Sequence, residues 1–86
     1  MQAEDKTLKP GDMSESIFWM LIELSPFRSE KVICALRDFL VLGYTRKEVC
    51  EKYSVSYSYF SISLRRFLHV DDVTRHLINY YSFAVD

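Results

Sequence analysis

The sequence predicts a small all-α domain, a helical bundle of about five helices. Serine or threonine precedes several segments whose apolar residues recur with the helical period of about 3.6 residues. The chain has only two glycines and two prolines, and they fall between those segments rather than inside them. With 86 residues it has material for one core, and therefore for one domain.

The first helix is expected to follow a charged segment. Residues 1–12 carry five charges and the pair Pro10-Gly11 with almost no apolar side chains, which predicts a flexible N-terminal arm. The domain then covers residues 13–86. Ser14 is placed as the N-cap of a helix that ends near Leu24, because Ser25 precedes a proline and so avoids helical torsions.

The second helix is marked at both ends. Ser29 is its expected N-cap, Glu30 favours its positive end, and Gly43 is suited to a left-handed C-cap. The apolar residues between them fall on one stripe: Val32, Ile33, Leu36, Phe39 and Leu40.

A short third helix, from Arg46 to about Tyr53, is predicted by the capping box of Thr45 and Glu48. Its inward side would carry Val49, Cys50 and Tyr53.

Serine then alternates with apolar residues over 54–58 and 61–64, as in a strand. A lone strand would lack partners for its backbone groups, so we expect a helix capped by Ser56.

The predicted fourth helix has apolar residues at helical spacing: Phe60, Leu64, Phe67 and Leu68. A separate fifth helix is expected to begin after Asp71-Asp72 and to pack through Val73, Leu77 and Tyr80 or Tyr81.

The third and fourth helices have the length and spacing of a helix-turn-helix, in which the second helix enters a DNA groove. Ser54-Val55-Ser56 forms the turn, although glycine is common where Ser54 stands. Cys50 would be a small buried residue that allows the two helices to approach closely. The same pattern also fits a plain helical hairpin of a bundle.

Positive charge is concentrated in this region. Residues 45–66 hold five basic and two acidic side chains, whereas acidic residues outnumber basic ones before and after them. Such a patch can orient a protein toward a polyanion, and it can equally be a solvated helix face. Arg46, Lys47 and Arg66 are candidates for phosphate contact and Lys52 is a weaker one. The outward positions that could contact bases are Ser56, Tyr57, Ser58, Ser61, Ile62 and Arg65.

Other function classes find little support. No phosphate-binding glycine loop or nucleophile motif is present, which argues against an enzyme, a cofactor or a small-molecule substrate. Cys34, Cys50, His69 and His76 lack metal-ligand spacing. The run Ile17–Ile22 is much shorter than the ~20 residues of a membrane helix. The main alternative to DNA binding is a helical protein–protein interaction module.

The first helix is a candidate surface for homo-oligomer formation. Its six-residue apolar run surrounds the helix, with Ile17, Met20, Leu21 and Leu24 on one side. Phe18, Trp19 and Ile22 point the other way and could anchor a contact between copies. Alternatively, the other helices enclose this one as the centre of the core.

Several segments resemble the PapB-type transcription regulators of bacterial adhesin (fimbrial) operons. The segments are Met13-Ser14-Glu15, Leu21-Ile22, Val32-Ile33, Asp38-Phe39-Leu40-Val41, Arg46–Tyr53, Tyr59-Phe60-Ser61 and Leu64, within residues 13–68. The run Arg-Lys-Glu-Val-Cys-Glu-Lys-Tyr is the most specific of them. The chain departs from the family pattern at the turn 54–58 and at Arg65-Arg66.

This resemblance implies a small helical protein that binds double-stranded DNA and controls fimbrial gene expression. It further implies AT-rich repeated binding sites, assembly into homo-oligomers on DNA, and a location in the bacterial cytoplasm at the nucleoid.

Overall fold

The computed structural model describes residues 11–85, with side chains for residues 11–82. It contains four α-helices: α1 (Glu15–Leu24), α2 (Glu30–Arg37), α3 (Arg46–Tyr53) and α4 (Tyr57–Val85). A π-helical turn over Asp38–Leu42 continues α2. No strand occurs in this part of the chain, so the prediction of an all-α fold is confirmed and the strand-like serine pattern is helical.

The prediction of a separate fifth helix is wrong, because α4 continues without a break through 29 residues. The segment 57–85 has no glycine or proline to interrupt it. Asp71 lies inside the helix, where its carboxylate accepts a hydrogen bond from Arg75 Nε at 3.1 Å, one turn later. The Thr74 hydroxyl donates to the Val70 carbonyl at 2.7 Å. The acidic pair therefore stabilises a continuing helix instead of starting a new one.

The predicted starts of α1, α2, α3 and α4 are confirmed. The side-chain oxygens of Ser14, Ser29, Thr45 and Ser56 accept backbone N–H bonds three residues later, at 3.3, 3.4, 3.1 and 3.1 Å. The capping box is complete, because Glu48 also accepts the Thr45 N–H at 2.8 Å. Local sequence therefore sets the start of every helix.

The chain reverses after the π-helical turn at Gly43, which has φ +89° as its predicted C-cap role requires. Gly11 lies against it, where a Cβ atom would come within 3.3 Å of the Gly43 Cα. Gly11 and Met13 donate backbone hydrogen bonds to the carbonyls of Phe39 and Leu40, at 3.1 and 3.0 Å. Residues 1–10 of the predicted arm lie outside the described residues.

The core joins α1, α2, the π-helical turn, α3 and the first half of α4. Its buried apolar residues are Phe18, Leu21, Val32, Ala35, Leu36, Phe39, Leu40, Val49, Cys50, Val55, Phe60, Leu64 and Phe67. Three aromatic contacts link distant segments: Phe18 with Phe67, at 5.2 Å between ring centroids, Phe39 with Phe60 at 5.6 Å, and Phe27 with Phe67 at 6.4 Å. The core thus fixes α3 and the start of α4 in one unit.

The side chains that α1 exposes differ from those predicted. Phe18 is 0% exposed and packs on Phe67, so the prediction that it anchors a contact between copies is wrong. Its spacing from Leu21 puts both on the inward face of α1. Trp19 is 41% exposed, and Ile17, Met20 and Leu24 are exposed with it, whereas Ile22 is half-buried.

The second half of α4 extends past the core. At a rise of about 1.5 Å per residue the helix is about 43 Å long, close to the 47 Å longest dimension of the molecule. It exposes Val73, Leu77, Ile78, Tyr80 and Tyr81. Across residues 11–85, no helix combines the length and apolar character needed to cross a membrane.

Candidate nucleic-acid interface

A three-residue connection, Ser54–Ser56, joins α3 to α4. Ser54 ends α3 in the left-handed region, with φ 56° and ψ 45°, which is uncommon for a residue other than glycine. Val55 is buried and its N–H donates to the Cys50 carbonyl at 3.0 Å. The connection is therefore a defined turn that holds the two helices in one relative orientation.

The first residue of α3, Arg46, points toward α4 rather than directly into solvent. Its guanidinium carbon lies 5.7 Å from the ring centroid of Phe39 and 5.8 Å from those of Tyr57 and Phe60. One guanidinium nitrogen donates to Ser61 Oγ at 3.0 Å. Arg46 is one turn before Val49 and Cys50 on the inward face of α3, which explains why it is partly buried.

The exposed side of α4 next to Arg46 carries several of the predicted residues. Tyr57, Ser61 and Arg65 succeed one another at intervals of four residues, so they share one side of the helix, and Ser58 lies beside them. We call the surface formed by Arg46, Lys47, Tyr57, Ser58, Ser61 and Arg65 the basic flank.

Arg66 is not part of the basic flank. It follows Tyr59 by seven residues and so lies on that residue's side of α4, away from Ser61. The structure therefore separates two neighbouring arginines that the sequence placed in one patch.

The capping box occupies backbone donors at the start of α3. The capping box engages the N–H groups of Thr45 and Glu48, and it brings the Glu48 carboxylate to the helix N-terminus. The positive charge at this end of α3 lies on the side chains of Arg46 and Lys47. Ser56 is exposed, and its hydroxyl oxygen caps α4.

Lys52 belongs to a different cluster, which centres on the buried carboxylate of Asp38. Asp38 is 1% exposed and accepts hydrogen bonds from the Tyr53 hydroxyl, Arg37 Nε and Lys52 Nζ at 2.7, 2.9 and 3.2 Å. Burial acts to raise the pKa of Asp38, but these three hydrogen bonds outweigh it and hold the pKa below its ordinary value. Tyr53 and Lys52 lie on α3, so the cluster ties α3 to the π-helical turn.

Sequence reasoning missed this role of Asp38. The available signal was an acidic residue at the head of the apolar segment Asp38-Phe39-Leu40-Val41-Leu42, where an unpaired charge would be costly to bury. Its partners Lys52 and Tyr53 are 14 and 15 residues away, so only the tertiary structure identifies them.

The two cysteines have different surroundings. Cys50 is buried between α3 and the rest of the core, and burial raises the pKa of its thiol. Cys34 is partly exposed on α2.

Comparison with known proteins finds a matching family model and several similar proteins. Residues 1–81 match the family model described as PapB, adhesin biosynthesis transcription regulatory protein. The AFA-III adhesin operon regulatory protein of Escherichia coli is 50% identical over 74 residues, which cover 86% of this chain and 73% of the relative. The major pilus subunit operon regulatory protein PapB of Escherichia coli is 42% identical over 82 residues, covering 95% and 79% of the two chains.

A solved structure resembles the fold closely. The crystal structure of Escherichia coli FocB matches with a TM-score of 0.83 and 41% sequence identity. The match covers 91% of this chain and 89% of that chain.

Proposed function

This chain belongs to the family of adhesin biosynthesis transcription regulatory proteins, and we propose that it regulates its target operon by binding double-stranded DNA through a helix-turn-helix. In this proposal α3 is the supporting helix, Ser54–Ser56 is the turn, and the first turns of α4 meet the DNA. Such a regulator acts on the chromosome, in the bacterial cytoplasm at the nucleoid.

The observation that carries the proposal is the position of the basic flank. Positive side chains at the start of α3 and on one side of α4 border a turn whose two helices are fixed by a common core. Arg46, Lys47 and Arg65 contact phosphates or bases in this account. Tyr57 and Ser58 are exposed at the start of α4, where a groove-binding helix approaches base edges.

The composition of α4 favours modest sequence discrimination. Its exposed positions next to the turn offer serine and tyrosine hydroxyls and one guanidinium, but few groups that make paired hydrogen bonds to a base. AT-rich repeated sites, at which several protomers bind side by side, are what the family resemblance implies, and we propose them for this chain.

Self-association would compensate for weak contacts by each protomer, because neighbouring copies stabilise one another on a repeated site. The proposed surface is the exposed part of α1, which carries four exposed apolar side chains: Ile17, Trp19, Met20 and Leu24. Ile22 is half-buried at its edge.

An electrophoretic mobility shift tests the proposed function. The wild-type protein should shift an AT-rich repeated duplex more strongly than a GC-rich duplex of equal length, and both shifts should weaken as salt rises. A protein–protein interaction module would give no salt-sensitive shift with either duplex. Bands of increasing size on longer repeats would support side-by-side binding, whereas a single band at every length would oppose it.

A further inference from the structure

The hydroxyl of Ser61 faces a protein side chain rather than only solvent. Arg46 donates to it across the α3–α4 contact at 3.0 Å. Ser61 is partly buried, whereas Ser58, one turn earlier on α4, is exposed. We infer that Ser61 is a positioning residue, which fixes the Arg46 guanidinium for DNA contact and does not read bases itself. This inference rests on the proposed DNA-binding function.

The surroundings of Arg46 constrain its side chain from more than one direction. Three aromatic rings lie within 5.8 Å of the guanidinium carbon, a distance at which a cation is attracted to a ring face. Phe39 and Phe60 are core residues, so two of these rings cannot move away. The rings confine the guanidinium, but ring attraction alone leaves its rotation about the side-chain axis poorly defined.

The hydrogen bond to Ser61 fixes the rotation of the Arg46 guanidinium about its side-chain axis. A guanidinium has five N–H donors in one plane, and a bond from one nitrogen sets where the others point. The donors not used by Ser61 are available for the two oxygens of a phosphate. An arginine held in this way loses less conformational freedom when it binds, so its contact contributes more to affinity.

The position of Ser61 supports this role over base reading. Its oxygen already accepts a charge-assisted hydrogen bond, which is stronger than one between neutral groups. Moving the oxygen away to accept from a base would give up that bond, and the hydroxyl is less accessible to a base than that of Ser58 because Ser61 is partly buried. Ser58 has no such contact with Arg46 and provides a matched serine on the same helix.

The test measures binding of the full chain to an AT-rich repeated duplex and to a GC-rich duplex by fluorescence anisotropy. We expect Ser61→Ala to weaken binding to both duplexes by the same factor, about threefold to tenfold. Ser61→Thr keeps the hydroxyl and should retain most of the affinity. In an Arg46→Ala background, Ser61→Ala should have no further effect, because the residue it positions is gone. Ser58→Ala should show the same effect with and without Arg46.

Nuclear magnetic resonance of the protein without DNA gives an independent readout. The guanidinium signals of Arg46 should show restricted rotation in the wild type and in Ser61→Thr, and faster rotation in Ser61→Ala. Circular dichroism should show that Ser61→Ala retains the wild-type helical content.

Two results would overturn the inference while leaving DNA binding intact. One is a Ser61→Ala variant with wild-type affinity and unchanged Arg46 signals. The other is a Ser61→Ala variant that changes the preference between the duplexes to the same extent with and without Arg46. Absence of any binding by the wild type would instead refute the proposed function, and this inference with it.

Discussion

The Tyr53 hydroxyl of α3 donates a 2.7 Å hydrogen bond to the buried carboxylate of Asp38, at the start of the π-helical turn. This contact, together with that of Lys52, connects the helix that begins the basic flank to the centre of the core. Orientation of α3 therefore depends on a polar contact as well as on Val49 and Cys50.

Replacing Asp38 with asparagine should destabilise the fold. The amide is similar in size but loses the negative charge that three donors share, and we expect the free energy of unfolding to fall by about 1–3 kcal/mol. Tyr53→Phe should cost about 1 kcal/mol, and the two effects should not add in the double variant. Urea denaturation measures all three. Strictly additive effects would contradict a direct contribution from this hydrogen bond.

The same contact predicts a pH dependence. The pKa of Asp38 is lower in the folded than in the unfolded protein, so its contribution to stability is complete above the unfolded value of about 4. It decreases as the pH falls from there through the folded pKa. The stability difference between wild type and Asp38→Asn should therefore be constant near neutral pH and shrink in acid. A difference that grows in acid would contradict this assignment.

Thiol labelling should distinguish the two cysteines. Cys34 is partly exposed and should react quickly with a thiol reagent in the native protein, whereas Cys50 should react only when the protein opens. Burial also raises the pKa of Cys50, which reduces the thiolate that reacts. Cys50→Leu should overpack the contact between α3 and the core and cost about 1–3 kcal/mol in urea denaturation, whereas Cys34→Ser should cost less. Rapid labelling of both cysteines would show that Cys50 is not a buried packing residue.

Local signals in the sequence were sufficient for the helix starts and most of the core. The N-caps each form a hydrogen bond to the backbone three residues later, so they can be predicted from a short sequence pattern. They are Ser14, Ser29, Thr45 and Ser56. The unbroken α4 was missed because Asp71-Asp72 is equally compatible with a helix start and with pairing to Arg75 inside a helix.

The candidate site was predicted only in part, because some of its contacts join residues that are far apart in the sequence. The basic residues are evident in the sequence, but the Arg46–Ser61 bond joins residues 15 positions apart. The burial of Phe18 likewise depends on Phe67, which comes from a distant helix. Contacts of this kind follow from the packing of whole elements, which local periodicity does not specify.

Trp19 provides a test of self-association that leaves the core in place. Trp19→Glu should abolish higher-order species in sedimentation and cooperative binding to repeated DNA, while circular dichroism shows a retained helical fold. Leu77→Glu, on the exposed second half of α4, is the control for charge on another apolar surface. Phe18→Ala should instead unfold the protein, at a cost of about 3–5 kcal/mol. Loss of assembly in Leu77→Glu but not in Trp19→Glu would move the interface from α1 to α4.

Arg65 and Arg66 form a matched pair for testing which side of α4 meets DNA. Both are exposed, but only Arg65 shares a side of the helix with Ser61. Arg65→Ala should weaken binding and relax the preference among sequences, and Arg66→Ala should have a smaller, sequence-independent effect. Competition binding with variant duplexes measures both. The reverse order of effects would place the DNA on the side of Tyr59 and Arg66.

The salt dependence of binding to an AT-rich repeated duplex tests the central claim most directly. If about three phosphates are neutralised by each protomer, the logarithm of the binding constant should fall with the logarithm of salt concentration at a slope of roughly −3. A variant with alanine at the three cations of the basic flank, Arg46, Lys47 and Arg65, should bind much more weakly and with a shallower slope. A folded triple variant with wild-type affinity and slope would contradict the assignment of DNA binding to the basic flank.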